Sequence, residues 1–334
     1  MIALAALLLP ASVNAQKKRK TTKTKASTTA VQKQEKKNLN LSAEELWRRF
    51  GDAVEAGNKK NAVEYVKATA EKGVIGALFI MGVAYCRSDN APEFMYEIRP
   101  MKSDTTQWVT FMFKPIDFGI KQPDYNKAIT MLKTCVEYGQ YLESCCWYIA
   151  NSYDAIGDND NSYIWAKKGA EAGDYSCMKL YGYDLLYGDG CAADPQQGIK
   201  WLKKAHELGD ENASMLLSWY YQEQKEYAKA AYWAHQHIKK EKGKAGFFQL
   251  GLFYHFGDGV DKDNKKAIEC LRKAMEFDKE DLATMNLLAK CYSEEDNQAY
   301  KEEARTLATK VLESKNATDQ QKDNARGILD MLNK

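Results

Sequence analysis

Two Gly-Asp-Gly turns, at residues 188–190 and 257–259, each stand just before a helical pattern and are the first places to look for chemistry. A glycine-rich turn before a helix can cradle a phosphate, but a Walker-type loop ends in Gly-Lys-Ser/Thr, and neither turn does. An EF-hand calcium loop needs acids at alternate positions and a glutamate at the twelfth. Neither run meets that pattern in full. We therefore interpret the glycines as turn residues with positive φ, and Asp194 and Asp263 as N-caps of the helices that follow.

Few other residues could take part in catalysis or metal binding. There are four histidines, and His235 and His237, two positions apart, point to different helix faces and cannot share a metal. The eight cysteines have irregular spacing, and no CxxC pairs with a second CxxC or with two histidines, so zinc is not indicated. A disulfide is plausible only between Cys135 and either Cys145 or Cys146, which flank a predicted helix–helix turn, and the other thiols are expected to be free and buried. The spacing supports no catalytic triad, metal or cofactor, and we expect no enzyme.

The N-terminal 40 residues differ in character from the rest. Residues 1–15 combine an apolar core with Pro10 and small residues up to Ala15, which predicts a secretory signal peptide and hence an exported, periplasmic or extracellular protein. The alternative is a buried strand or helix, since the run is too short to span a bilayer and no transmembrane segment is expected. Residues 16–40 hold nine Lys/Arg and one acid, which predicts a basic disordered linker.

Beyond that linker the chain is mildly acidic. The whole chain carries +2 and residues 16–40 carry +8, which leaves −6 for residues 41–334. A nucleic-acid-binding protein needs a basic face on its folded body, so this balance excludes that class of function.

Self-similarity is the strongest pattern in residues 41–334. An offset of 69 aligns the two Gly-Asp-Gly turns and the helices around them, which equals two units of about 35 residues. A small residue followed three positions later by an aromatic residue or leucine marks the first helix of each unit. It recurs as Gly82/Tyr85, Ala150/Tyr153, Gly182/Leu185, Ser218/Tyr221, Gly251/Tyr254 and Ala289/Tyr292. These pairs, with the turn glycines Gly188, Gly190, Gly257 and Gly259, are predicted to be structural.

The repeat predicts an all-α protein of roughly fifteen helices. Apolar positions follow the helical period, and Gly73, Gly139, Gly173 and Gly209 suit left-handed helix ends. Each helix pair cannot bury its apolar face alone, so we expect the pairs to stack lengthwise as a single repeat domain over residues 41–334.

The stretch LYGYDLLYGDGCAADPQQGIKWLKKAHELGD, and again QLGLFYHFGDGVDKDNKKAIECLRKAMEFD, resembles the Sel1-like repeat, a relative of the tetratricopeptide repeat. The resemblance extends over roughly residues 59–313. It implies a right-handed α-solenoid of antiparallel helix pairs that acts as a protein-interaction scaffold without catalysis. It names no partner.

An insertion over residues 87–122 departs from the repeat. Alternating aromatic and β-branched residues predict two strands, joined as a hairpin near residues 102–106. Its aromatic residues either pack on the first repeats or serve as anchors for a partner; they are Phe94, Tyr96, Trp108, Phe111 and Phe113. The sequence therefore predicts an exported scaffold for a protein or peptide partner, with an envelope glycan or peptidoglycan bound by these aromatics as the alternative.

Overall fold

A computed structural model describes residues 41–87, 118–240 and 243–333, together with the backbone of residues 3–6, 95–100 and 109–112. The described part contains fifteen helices, in agreement with the helical class expected from the sequence. They are α1 (Ala43–Glu55), α2 (Lys59–Glu71), α3 (Ile75–Tyr85), α4 (Tyr125–Glu137), α5 (Leu142–Ala155), α6 (Asn159–Ala172), α7 (Tyr175–Tyr187), α8 (Pro195–Glu207), α9 (Glu211–Glu223), α10 (Tyr227–Lys240), α11 (Lys244–Phe256), α12 (Asn264–Phe277), α13 (Leu282–Ser293), α14 (Gln298–Glu313) and α15 (Asp319–Leu332).

Three short strands form one small sheet. They are β1 (Ala3–Ala6), β2 (Met95–Pro100) and β3 (Val109–Met112), with β1 parallel to β2 and β2 antiparallel to β3. The predicted hairpin connection, and most of the predicted signal peptide and linker, lie outside the described residues. The hairpin, the signal peptide (1–15) and the linker (16–40) therefore stay predictions.

Capping residues fix where the helices begin and end. The side chains of Ser42, Asn58, Asp124, Asp158, Asp194, Asp210, Asp263, Asp281, Asn297 and Thr318 each accept a hydrogen bond from a backbone N–H of the first turn. These bonds satisfy donors that the helix itself leaves unpaired. Several helices end at a left-handed glycine, with φ of 77°, 69°, 107° and 108° at Gly73, Gly139, Gly173 and Gly209.

The chain forms two compact units, residues 1–177 and 178–334, with the boundary inside α7. In the first unit, helices that follow one another from α1 to α6 pack together. Its core contains Phe50, Ile80 and Leu132. In the second unit, packing again follows chain order from α8 to α15, and α15 also packs on α13. Its C-terminal core contains Leu271 and Tyr292.

Among the helices that the structure describes, none alone has both the length and the apolar composition needed to cross a membrane. The consecutive helices α2 and α3, bent by 113° at their junction, meet those two criteria only as a pair.

Candidate functional site

Three helix pairs are joined at a glycine of the first helix, which admits a leucine of the second helix. A Cβ atom built on Gly251 would lie 2.7 Å from both Cγ and Cδ2 of Leu271, closer than real carbon atoms approach. The same contact joins two further pairs, Gly82 with Leu132 at 2.7 Å and Gly182 with Leu202 at 2.9 Å.

Where the small residue is not glycine, the contact has another form. Ser218 is fully buried, and its hydroxyl donates a 2.7 Å hydrogen bond to the carbonyl oxygen of Ala230 on the second helix. Ala150 and Ala289 are fully buried as well. Of the residues three positions on, Leu185, Tyr221 and Tyr292 are buried, whereas Tyr85, Tyr153 and Tyr254 are half-buried and each lies under a lysine ammonium. These lysines cover aromatic rings that would otherwise be open to solvent.

The two Gly-Asp-Gly turns act as connections. Gly188, Gly190, Gly257 and Gly259 have positive φ, of 76°, 67°, 77° and 71°. The Asp194 and Asp263 carboxylates accept hydrogen bonds from the N–H of Gln197 (3.1 Å) and of Lys266 (3.0 Å). A Cβ at Gly259 would overlap the backbone of Tyr227, which leaves no room for a ligand there.

The residues on either side of the insertion are joined by a backbone hydrogen bond. The N–H of Asp124 donates to the carbonyl oxygen of Tyr85 at 3.0 Å. The equivalent bonds in two other units are Asp194 to Leu185 at 2.8 Å and Asp263 to Tyr254 at 2.9 Å. The insertion therefore occupies the position of a Gly-Asp-Gly turn, and the helix pair α3–α4 closes as the others do.

The end of the insertion is anchored on the first unit. Phe118 is buried among Phe50 and Ile80, and the Lys67 ammonium donates to the Phe118 carbonyl oxygen at 2.8 Å. The five aromatic residues predicted to bind a partner lie outside the residues whose side chains the structure describes. They are Phe94, Tyr96, Trp108, Phe111 and Phe113, and their role stays a prediction.

A groove of about 650 Å³ opens between the first helices of the C-terminal repeats, α11 and α13, and the last helix, α15. Its apolar wall is formed by Phe248, Leu252, Phe256, Leu287, Ile328 and Met331. Phe256 is 60% exposed although it is a large apolar residue. An exposed apolar wall inside a concave site is typical of surfaces that bind another molecule.

Asn286 supplies the polar group of this groove. Its side chain is only 7% exposed, and its Nδ2 donates to the carbonyl oxygen of Gln321 at 2.9 Å, which links α13 to α15. Its Oδ1 is buried and has no hydrogen-bond partner among the described residues. A buried acceptor without a partner is unfavourable by roughly 1–3 kcal/mol.

The charged residues at the rim of the groove are neutralised by their own neighbours. Lys290 Nζ lies 3.4 Å from Glu294 Oε1, and Asp323 Oδ1 lies 2.5 Å from Arg326 Nη1. The groove therefore presents an apolar wall and polar groups that are neutral or paired, rather than a strong charge of either sign.

A histidine and a cysteine meet beside the groove without forming a catalytic pair. His255 Nδ1 lies 3.4 Å from Cys291 Sγ and 3.4 Å from Asn264 Oδ1. Burial raises the pKa of the Cys291 thiol to about 12, and Glu294 nearby adds to this. A protonated, fully buried thiol is neither an accessible nor an activated nucleophile. Among the described residues, no cluster of His, Cys, Asp and Glu could hold a metal ion.

The cysteines near the predicted turn lie close together as free thiols. Cys135 and Cys145 are both fully buried in one core cluster, and the Cys135 thiol donates to the carbonyl oxygen of Ile75 at 3.6 Å. The neighbouring Cys135, together with burial, raises the pKa of Cys145 well above its ordinary value. Cys146 instead faces Gly169, as does Cys177.

The residues that form the groove could not be predicted from the sequence. Asn286 lies in a first helix with no motif around it, and Gln321 belongs to a terminal helix outside the repeat pattern. Their proximity depends on how α13 meets α15, which no local spacing encodes. The capping role of Asp124 was not predicted either, although Asp124 stands just before a helical pattern, as Asp194 does, and that position indicates an N-cap.

Comparison with known proteins identifies the repeat. The family model of the Sel1 repeat matches residues 151–174, 176–210 and 248–276. A chitin synthase regulator, SKT5 of Malassezia restricta, is 28% identical over 158 residues, which cover 44% of this chain. The matched segment spans only 10% of that relative's length.

Two solved structures are also similar. The Sel1 repeat protein from Oxalobacter formigenes is 21% identical, with 63% of this chain and 94% of that chain covered and a TM-score of 0.48. The protective antigen c5321 of uropathogenic Escherichia coli, which has an SLR fold, is 20% identical, with 87% and 68% covered and a TM-score of 0.43. At these scores the repeat assignment rests on the family model and on the helices described above.

Proposed function

We propose that this chain, which contains Sel1 repeats, is a non-catalytic interaction scaffold that binds an extended segment of a partner protein in the groove of α11, α13 and α15. One observation carries the proposal: the groove of about 650 Å³ has an apolar wall that includes Phe256, which is 60% exposed. Repeats of this kind commonly mediate contacts between proteins, which supports the same reading.

The chemistry of the groove favours a peptide segment with an apolar side chain. An extended peptide segment can lie along the groove, as extended ligands do in many peptide-binding sites. One of its apolar side chains can pack against Leu252, Leu287 and Met331. Because the rim charges are paired within their own helices, neither a strongly acidic nor a strongly basic segment is favoured.

The remaining parts of the proposal rest on the sequence. We infer that residues 1–15 direct export and that residues 16–40 form a spacer. We also propose that the repeats stack as a right-handed solenoid and that residues 87–122 form a β-hairpin projecting from it. Retention of peptidoglycan that is lost on Trp108→Ala would assign the insertion to the glycan-binding alternative instead.

Peptide selection tests the groove. Heptapeptides are selected from a random displayed library against the intact protein, and the affinity of a selected peptide is measured by calorimetry. Gly327 lies on the groove side of α15 with no atom within 4 Å of an added Cβ, so Gly327→Leu can fill the groove without a clash. We expect at least tenfold weaker binding for Gly327→Leu and for Met331→Arg.

A matched variant controls for unspecific effects. Gly51 in α1 is also a helical glycine with open space around it, so Gly51→Leu makes the same change away from the groove. We expect it to bind the peptide as the wild type does. Selected peptides that bind the groove variants and the wild type equally would contradict the proposal.

A further inference from the structure

A second surface of the C-terminal unit consists of tyrosine rings beside one carboxylate. Tyr183 and Tyr187 lie near the end of α7, with ring centres 4.8 Å apart, and the ring of Tyr220 on α9 lies 6.2 Å from that of Tyr187. The Tyr187 hydroxyl donates to Glu223 Oε2 at 2.9 Å. Tyr183 is 37% exposed and Tyr187 is 43% exposed, so their rings are open to a partner. We call these four residues the tyrosine–glutamate cluster.

Several aromatic rings elsewhere in the chain lie beside one of its own lysines. Lysine ammonium groups lie 4.6–5.3 Å from the ring centres in Lys127–Tyr85, Lys133–Tyr153, Lys168–Trp165, Lys204–Trp201, Lys229–Tyr221 and Lys266–Tyr254. Tyr221, the direct neighbour of Tyr220, is one of these covered rings. Among the described residues, no cation lies over Tyr183, Tyr187 or Tyr220. The tyrosine–glutamate cluster thus has the aromatic rings of a cation–π contact and lacks the cation.

The electrostatics of the cluster favour a cation. Tyr187 is the last residue of α7 and Glu223 the last residue of α9, so two helix C-termini meet here. The final carbonyl groups of a helix carry a partial negative charge, which adds to that of the carboxylate. No described lysine or arginine lies within ion-pair distance of Glu223, and its Oε1 is not used by Tyr187.

We propose that the tyrosine–glutamate cluster binds an arginine side chain of a partner protein. A guanidinium group is planar, so it can stack on the Tyr183 and Tyr220 rings while it donates to Glu223. A lysine ammonium is more strongly hydrated and cannot match a carboxylate with two parallel bonds. This inference is independent of the groove, because none of the four residues lines it.

Nuclear magnetic resonance on the full chain with ¹³C-labelled tyrosine rings tests this assignment. The probe is the blocked tripeptide acetyl-Gly-Arg-Gly-amide, compared with the same peptide carrying lysine or the neutral isostere citrulline. We expect saturable shifts of the Tyr183, Tyr187 and Tyr220 ring signals with the arginine peptide, about threefold to fivefold weaker binding of the lysine peptide, and no binding of the citrulline peptide.

Two variants separate the cluster from general acidity. Glu223→Gln should weaken binding of the arginine peptide about fivefold. Glu207→Gln changes the equally exposed last residue of α8 and should leave binding unchanged. Equal affinity for the lysine or citrulline peptide, shifts confined to other tyrosines, or full binding by Glu223→Gln would each overturn the proposal. Neither variant alters a buried residue, so both can be checked for unchanged thermal unfolding before the titration.

Discussion

The close contact between Gly251 and Leu271 allows a quantitative test of how the helix pairs are held together. In the variant Gly251→Ala, the added methyl carbon would lie 2.7 Å from two carbons of Leu271, where about 3.5–4 Å is the normal separation. Leu271 is fully buried in the C-terminal core, so it has no solvent to move into. Either its rotamer must change or α12 must move away from α11.

The expected magnitude is the difference of two effects. Overpacking a close core contact costs about 1–3 kcal/mol. Alanine in place of glycine in a helix contributes about 1 kcal/mol in the opposite direction. We therefore expect Gly251→Ala to lower the free energy of unfolding by about 0–2 kcal/mol. Gly327→Ala, at a helical glycine with open space around it, should raise it by about 0.5–1 kcal/mol.

Urea unfolding followed by circular dichroism measures the difference between the two variants. Because stacked repeats do not always unfold in one step, amide hydrogen exchange in α11 and α12 should be measured as well. The double variant Gly251→Ala with Leu271→Ala should be at least about 1 kcal/mol more stable than the sum of its single changes predicts. The reasoning is refuted if Gly251→Ala is as stable as Gly327→Ala.

Three shorter predictions concern single groups. Ser218→Ala removes the buried hydrogen bond to Ala230 and should lower the free energy of unfolding by about 1 kcal/mol, measured in urea; an unchanged midpoint would contradict the role of the hydroxyl. The N–H of Lys266 holds the pKa of Asp263 below its ordinary value, so the stability that this cap contributes is present above about pH 4 and is lost as the pH falls through the lowered pKa. Asp263→Asn should therefore show a smaller fall in melting temperature between pH 5 and pH 3 than the wild type, and an identical fall would argue against the cap. Burial raises the pKa of Cys291 to about 12, so iodoacetamide at pH 8 should modify it only after denaturant is added, as mass spectrometry of the digest can show.

The helices were accessible from the sequence because their determinants are local. Helical periodicity, small residues such as Gly182 and turn glycines such as Gly257 all lie within one unit, where spacing alone fixes what they contact. The capping role of Asp263 follows in the same way from its place just before a helical pattern.

The candidate sites could not be predicted from the sequence, because they form between helices of different repeats or between a repeat and the terminal helix. Asn286 and Gln321 are 35 positions apart, and nothing in the intervening sequence marks them as neighbours. Trp219 shows the opposite difficulty: it directly follows the buried Ser218 of a first helix, yet it is 46% exposed. Spacing identifies the helix on which a residue lies, but burial of that residue depends on the neighbouring repeats.

The hydrogen bond between Asp124 and Tyr85 has a consequence for the order of folding. It closes a loop of 39 residues, whereas the corresponding bond between Asp263 and Tyr254 closes one of nine. A loop about four times as long raises the entropic cost of closure by only about 1.3 kcal/mol, so the native pair α3–α4 tolerates the insertion. This entropic cost slows the formation of the contact during folding. Folding should therefore nucleate in repeats with short connections, and α3 and α4 should pair late.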